Sequence, residues 1–278
     1  KVQRNLVGNC KPSILLSGGM DSSIILYEAS QFSQVNAYTA SYDLPNHKKK
    51  KYCVDESYAK FLCRELNINH NIIQISFNKE DLLKRIDKSQ YHMDQPHFIG
   101  SIHANFEVAE KIKNKDPNCK IVLTGNGGDE LFLGYNRYRL QNLINKIYNL
   151  YNLIDNKFIS TLVNILLTRL RPQNLKYNIN YRRKDSSHIS SWMELDFINL
   201  KNRDIIAITT KRKDLLAEYF DKSFKNIDTR YEECYGIFDL LTWIPDDSNV
   251  ISDRAFASVG IEARSPFLSS HLYQDIVN

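Results

Sequence analysis

The 278-residue sequence has no apolar run approaching the ~18 residues of a membrane-spanning helix, and no signal-peptide pattern opens it. A soluble protein in the cytoplasm is therefore expected. Paired cysteine is lacking: the five, at positions 10, 53, 63, 119 and 234, are odd in number and form no Cys-x-x-Cys. That usage argues against a disulfide framework or zinc site and for free thiols in a reducing compartment. No Gly-x-Ser-x-Gly elbow occurs, so serine-hydrolase chemistry has no support. The seven histidines fall on no His-x-x-x-His spacing, and His92, His97 and His103 read as structural or surface groups rather than ligands. Charge of one sign is not in large excess either. A net charge of +5 suits polyphosphate substrates, but no nucleic-acid fold or aromatic-basic stripe accompanies it, so neither nucleic acid nor membrane is an expected partner. Hydrophobic residues at 42% and charged residues at 25% are near the globular average, in a chain long enough for one large domain or two small ones.

Against these absences stand two glycine turns. Ile14-Leu15-Leu16 reads as a buried strand running into Ser17-Gly18-Gly19-Met20-Asp21-Ser22-Ser23. Adjacent glycines permit a tight bend that exposes backbone N–H groups, and a helix starting there adds its unpaired donors and dipole. The turn is thus a candidate phosphate site, with Asp21 and Ser22 as candidate caps. No Gly-Lys-Ser/Thr follows, so it is not a Walker-type loop. The second turn, Thr124-Gly125-Asn126-Gly127-Gly128-Asp129-Glu130, follows the strand Ile121-Val122-Leu123. Strand ends of a parallel sheet point one way, so both turns are expected to face one cleft. Asp21 and Asp129 are then two carboxylates suited to Mg²⁺ beside phosphates. The plainer alternatives are a ligand-free glycine turn and acidic residues that merely cap the next helix.

The first half alternates strands (14–16, 34–40, 72–75 and 121–123) with helices (22–31, 52–66 and 102–112). The helix over 52–66 carries a stripe of Tyr58, Ala59, Leu62, Cys63 and Leu66, and that over 102–112 one of Ile102, Phe106, Ala109 and Ile112. This order predicts an α/β fold, a parallel twisted sheet with helices on both faces. The second half has no comparable strands and is expected to be mainly helical, with helices over 131–154, 158–170 and 213–220. The expected division is a nucleotide-binding core over 1–145 and a helical part over 146–278 that completes the site. The polar segments 47–51 and 171–187 read as solvated loops, with a lid over the substrates as the alternative.

A third region identifies the family. Asp253-Arg254-Ala255-Phe256-Ala257 and Gly260-Ile261-Glu262-Ala263-Arg264-Ser265-Pro266-Phe267-Leu268, in order after the two turns, resemble the synthetase domain of glutamine-hydrolysing asparagine synthetases. The first turn resembles the PP-loop of enzymes that split ATP into AMP and pyrophosphate. The resemblance runs from Pro12 to about His271. It implies ATP and Mg²⁺ as cofactors, a small carboxylate substrate, an amine donor and a glutaminase domain or subunit. It implies nucleotide contacts at Leu16, Ser17, Gly18, Gly19, Asp21, Ser22, Ala40, Thr124 and Gly125, with Asp21 and Asp129 on the metal. Arg254 matches a cation near the α-phosphate, Asn126 a residue of the amidation step, and Asp94-Gln95-Pro96 a segment that brings His97 beside the cleft. Three positions depart: Asn126 where asparagine synthetases carry glutamate and β-lactam synthetases tyrosine, Ile251 where many relatives carry lysine, and Gln95 for a glutamate. The expected activity is aspartate-to-asparagine amidation through β-aspartyl-AMP. The alternatives are a β-lactam synthetase, a lasso-peptide cyclase or a sugar-amidating enzyme of the same type, or a degenerate nucleotide-binding regulator. The sequence starts at Lys1, and Cys10 has no first-residue setting, so a glutaminase is not expected within it.

Overall fold

Short apolar stretches bury both faces of one sheet. The computed structural model describes residues 2–6, 11–44, 54–76, 78–94, 101–136, 138, 236, 239–241, 243–269 and 272. In chain order these form α1 (Val2–Asn5), β1 (Ser13–Leu15), α2 (Met20–Ser30), β2 (Asn36–Tyr42), α3 (Val54–Glu65), β3 (Asn69–Ile75), α4 (Lys79–Met93), α5 (Ser101–Lys115), β4 (Ile121–Leu123) and α6 (Gly128–Phe132). A π-helical turn (Ile244–Ser248), α7 (Asn249–Ala257), β5 (Glu262–Arg264) and a 3₁₀ turn (Pro266–Leu268) follow. The segments 47–51, 158–170, 171–187 and 213–220, with Gln95 and His97, lie outside the described residues. The chain forms two compact units, 1–131 with 242–278, and 132–241. In the second, the buried Tyr138 hydroxyl donates to Asp239 Oδ2 at 2.8 Å.

All five strands are parallel, in the order β3-β2-β1-β4-β5. The expected parallel α/β sheet is thus present. Beyond that expectation, Glu262–Arg264 adds a fifth strand from the half of the chain read as strandless, pairing Ile121 with Glu262 and Leu123 with Arg264. Three residues bearing two charges give no apolar alternation to read. The backbone of β4 makes them a strand.

Alternate residues divide between two cores. Ile14, Leu16, Ala37, Ile121 and Leu123 pack with Ile25, Leu26 and Ala29 of α2 and Ala59 and Cys63 of α3. Tyr38, Ile73, Ile75 and Val122 pack with Val108, Ala109 and Ile112 of α5 and Phe256 of α7. Helices therefore cover both faces, and the apolar stripe of α5 is buried as its spacing predicts. Tyr58 departs from the expected α3 stripe and is 61% exposed. Burial pushes the Cys63 thiol up to about 11, which marks it as a core residue rather than a nucleophile. Helix α4 lies outside the elements read from the sequence, although Asn78 caps it by accepting from Glu80 N at 2.9 Å. Leu133, with φ 58°, interrupts the helix predicted to run on from 131. Among the described residues no helix is long and apolar enough to cross a membrane.

Candidate functional site

The chain builds β1, β2 and β3 outward in one direction and then returns to β4 and β5 on the other side of β1. Between β1 and β4 the winding direction reverses. Loops leaving the carboxyl ends of these two strands diverge, and the crevice they leave is where open α/β sheets bind ligands. The two glycine turns are the loops at this point.

The first turn is a braced structure. Ser22 is buried, and its hydroxyl accepts from Ser17 N at 3.2 Å and donates to Gly19 O at 3.2 Å, while Ser17 Oγ lies 3.0 Å away. Ser22 thus holds the loop's shape from within. Gly19 is the N-cap of α2 and supplies no side-chain cap, so Asp21 and Ser22 lie in the first helical turn and are not the expected caps. The uncapped amides at the start of α2 suit an anion. Gly18 has φ +80°, and a Cβ there would come within 2.7 Å of Asp55 O and 2.9 Å of Tyr58 Cβ on α3. Only glycine fits that turn.

Two segments far from it in sequence, one at 264–268 and one at Asp21, meet the second turn. A Cβ on Gly127, whose φ is +90°, would meet Leu268 Cδ2 at 2.2 Å, so the 3₁₀ turn lies directly against the glycine. Thr124 N donates to Arg264 O at 2.9 Å, and the Thr124 and Ser265 hydroxyls are 2.8 Å apart. A Cβ on Gly128 would come within 2.3 Å of Asp21 Cγ, which seats the Asp21 carboxylate on the backbone that opens α6. Burial, and then the charge of Asp129, raise the Asp21 pKa above its ordinary 3.8. These two carboxylates are near enough to repel, and a divalent cation would relieve that cost. Among the described residues no cluster of three or more His, Cys, Asp or Glu could hold a metal. Two carboxylates suit Mg²⁺, which commonly completes its shell with water and substrate phosphate.

The other candidates are placed as follows. Leu16 is buried, with its N–H on Tyr38 O at 2.8 Å and its carbonyl on the Thr39 hydroxyl at 2.7 Å. Ala40 is exposed near the carboxyl end of β2. Gly125 lies against the start of α2, a Cβ there reaching 3.3 Å from Ser22 N. Asn126 Nδ2 donates to Ser252 Oγ of α7 at 3.2 Å, which turns its amide nitrogen toward that helix. Ile251 is buried beside Met93, Ile102 and Phe106. Arg254 pairs with Asp94 at 2.8 Å, and both side chains are substantially exposed. Sequence reasoning missed Asp94 as the partner of Arg254, Ser252 as the partner of Asn126, and the pair Thr39 and His70. No periodicity marks any of these, because each contact joins separate elements. His103 Nδ1 meets Ser89 Oγ at 2.8 Å and His92 stacks on Phe106, so both serve packing.

The family model described as Asparagine synthase matches residues 1–278. A putative glutamine-hydrolysing asparagine synthetase of Methanocaldococcus jannaschii is 30% identical over 162 residues, 54% of this chain and 28% of that protein. An asparagine synthetase domain-containing protein of Drosophila melanogaster is 27% identical over 253 residues, 82% of this chain and 38% of that protein. A glutamine-hydrolysing asparagine synthetase of Bacillus subtilis is 27% identical over 136 residues, 48% of this chain and 18% of that protein. In each case the chain spans well under half of the relative's length.

Proposed function

The chain belongs to the asparagine synthase family, and on that premise we propose that it is an ATP-dependent, AMP-forming amide ligase. The observation that carries this reading is the Asp21 carboxylate seated on Gly128 and repelled by Asp129, at the point where the sheet reverses direction. That arrangement supports a polyphosphate between the two turns. The amides at the start of α2 would meet its anionic oxygens, and Asp21 and Asp129 are the residues that would hold Mg²⁺. The metal supplies charge neutralisation on the phosphate oxygens.

In the proposed reaction an oxygen of the carboxylate substrate attacks the α-phosphorus of ATP. The bond to the bridging oxygen breaks and pyrophosphate leaves. An amine nitrogen then attacks the activated acyl carbon, loses a proton, and AMP departs with the acyl oxygen. The chain's residues orient rather than react. Ser22 fixes the loop, Thr124 and Ser265 tie β4 to the segment after β5, and Arg254, paired with Asp94, would offer a cation for developing charge. Aspartate is the first carboxylate to test, with ammonia from a glutaminase domain or subunit. A second acceptor class is favoured by Asn126, whose carboxamide is tied to Ser252 and cannot act as a base, and by the buried, uncharged Ile251. Those features support an intramolecular or alternative-acceptor amide synthetase of the β-lactam, lasso-peptide or sugar-amidating type, although β-lactam synthetases carry tyrosine at the Asn126 position.

Product analysis with ATP labelled in the α- and γ-phosphates tests the reading. AMP and pyrophosphate are expected with Mg²⁺ and a carboxylate substrate. ADP and phosphate overturn it, and nucleotide binding without turnover of any carboxylate moves the protein to a regulatory class.

A further inference from the structure

The nucleotide turn is gripped from a direction its own sequence does not reveal. The peptide between Leu16 and Ser17 is held at both edges, its N–H by the Ser22 hydroxyl at 3.2 Å and its carbonyl by the Thr39 hydroxyl at 2.7 Å. Thr39 lies on β2, is 1% exposed, and has a second partner, His70 Nε2 of β3, at 2.8 Å. A hydroxyl has one proton. Because Thr39 uses it on the Leu16 carbonyl, the hydrogen bond to His70 requires the ring to donate, and the proton of the neutral imidazole sits on Nε2. Three hydrogen-bonding groups thus run in series across three adjacent strands, His70 to Thr39 to Leu16, and end on the first peptide of the turn.

From this chain of bonds we infer that His70 is a positioning residue for nucleotide binding. It fixes the Thr39 hydroxyl, which sets the plane of the Leu16–Ser17 peptide and with it the direction of the amides that follow. The surroundings agree with a neutral ring at pH 7. Burial lowers the His70 pKa from 6.5, and the Lys60 charge adds to this against the opposing Glu56. Glu56 is itself engaged, accepting from Ser41 of β2 and pairing with Lys60. The inference rests on the nucleotide-binding reading given above and adds a residue to it that touches no ligand.

The test uses the full chain, Mg²⁺ and α,β-methylene-ATP, an analogue that cannot be split at the reacting bond. His70→Phe keeps the ring's bulk and removes the donor, and should weaken the dissociation constant about 3- to 10-fold, the range for one lost hydrogen bond. His70→Gln restores an N–H donor at similar reach and should recover most of that loss, which a purely structural role would not predict. In a Thr39→Val background the His70→Phe change should cost nothing more, because the chain is already cut. Nitrogen-15 spectra of the imidazole in the unmodified protein should report an Nε2–H tautomer. Unchanged affinity in a folded His70→Phe variant overturns the inference and leaves the proposed function standing. Failure of the unmodified protein to bind the analogue overturns the proposed function, and the inference with it. An Nδ1–H tautomer breaks the chain of bonds outright, and this measurement decides even if His70→Phe does not fold.

Discussion

Replacing Gly128 with alanine should disable the enzyme while leaving the fold almost untouched. Gly128 opens α6 and is not among the positive-φ residues, so its backbone admits a side chain. The obstacle is Asp21: the new methyl would lie 2.3 Å from its Cγ and 2.6 and 2.7 Å from its oxygens. Carbon atoms pack at about 3.5–4.0 Å, so the carboxylate has to retreat by at least about 1 Å. A short side chain can do this by leaving its preferred torsion, at about 0.5–1.5 kcal/mol. Relief of the repulsion from Asp129 offsets part of that. The expected change in unfolding free energy is therefore about 1 kcal/mol or less. Catalysis should suffer far more, because a 1 Å misplacement in a reacting constellation costs on the order of 100-fold. Denaturant melts and the rate of AMP release from ATP, aspartate and ammonia, titrated with Mg²⁺, measure the two effects separately. Asp21→Ala with Gly128→Ala should melt like Asp21→Ala alone, since the clashing carboxylate is gone. A Gly128→Ala enzyme with unaltered rate and Mg²⁺ dependence would refute the placement of Asp21 at the reacting centre.

Asp21→Asn should stabilise the ligand-free protein at neutral pH while abolishing turnover. The folded-state pKa is raised above 3.8, so the native state holds its proton more tightly than the unfolded chain, and wild-type stability falls as pH rises through that raised value. Unfolding curves should therefore converge below pH 3.8 and separate above it, with the variant the more stable. Asp94→Asn should leave the melting curve nearly unchanged, because exposed ion pairs contribute about 0–1 kcal/mol, whereas Arg254→Ala should lower the rate of pyrophosphate release. Asn126→Glu should raise ammonia-dependent amidation of aspartate by up to about 10²–10⁴-fold with pyrophosphate release little altered, since a carboxylate there can accept a proton from the amine. Parallel assays of asparagine and pyrophosphate check it, and no asparagine from either form favours a different acceptor.

Much of the architecture is a local matter. Glycine pairs after short apolar runs mark the ends of β1 and β4, and helical spacing marks α5, because the chain itself sets backbone freedom and side-chain period. Those signals suffice for the parallel α/β class. The signal for α4 was present in Asn78 and the acidic Glu80 and Asp81, a capping pattern that the apolar spacing alone did not reveal. Tyr58 shows the limit of the periodicity argument, since its spacing matches the stripe but its side chain lies 61% exposed.

The sequence by itself determined which residue types stand at the two turns and that each turn follows a strand, since Gly18 and Gly127 adopt positive φ at little cost and other residues do not. Tertiary structure alone decided that Gly128 makes room for Asp21, that Leu268 covers Gly127, that Glu262–Arg264 is a strand, and that His70 reaches the first glycine turn through Thr39. Each of these joins residues between 23 and 141 positions apart, or places a charged segment by the backbone it pairs with. The physical reason is that contacts across a parallel sheet depend on strand order and register. Hydrogen bonds and burial summed over the whole unit set both, and no short window of sequence contains that sum.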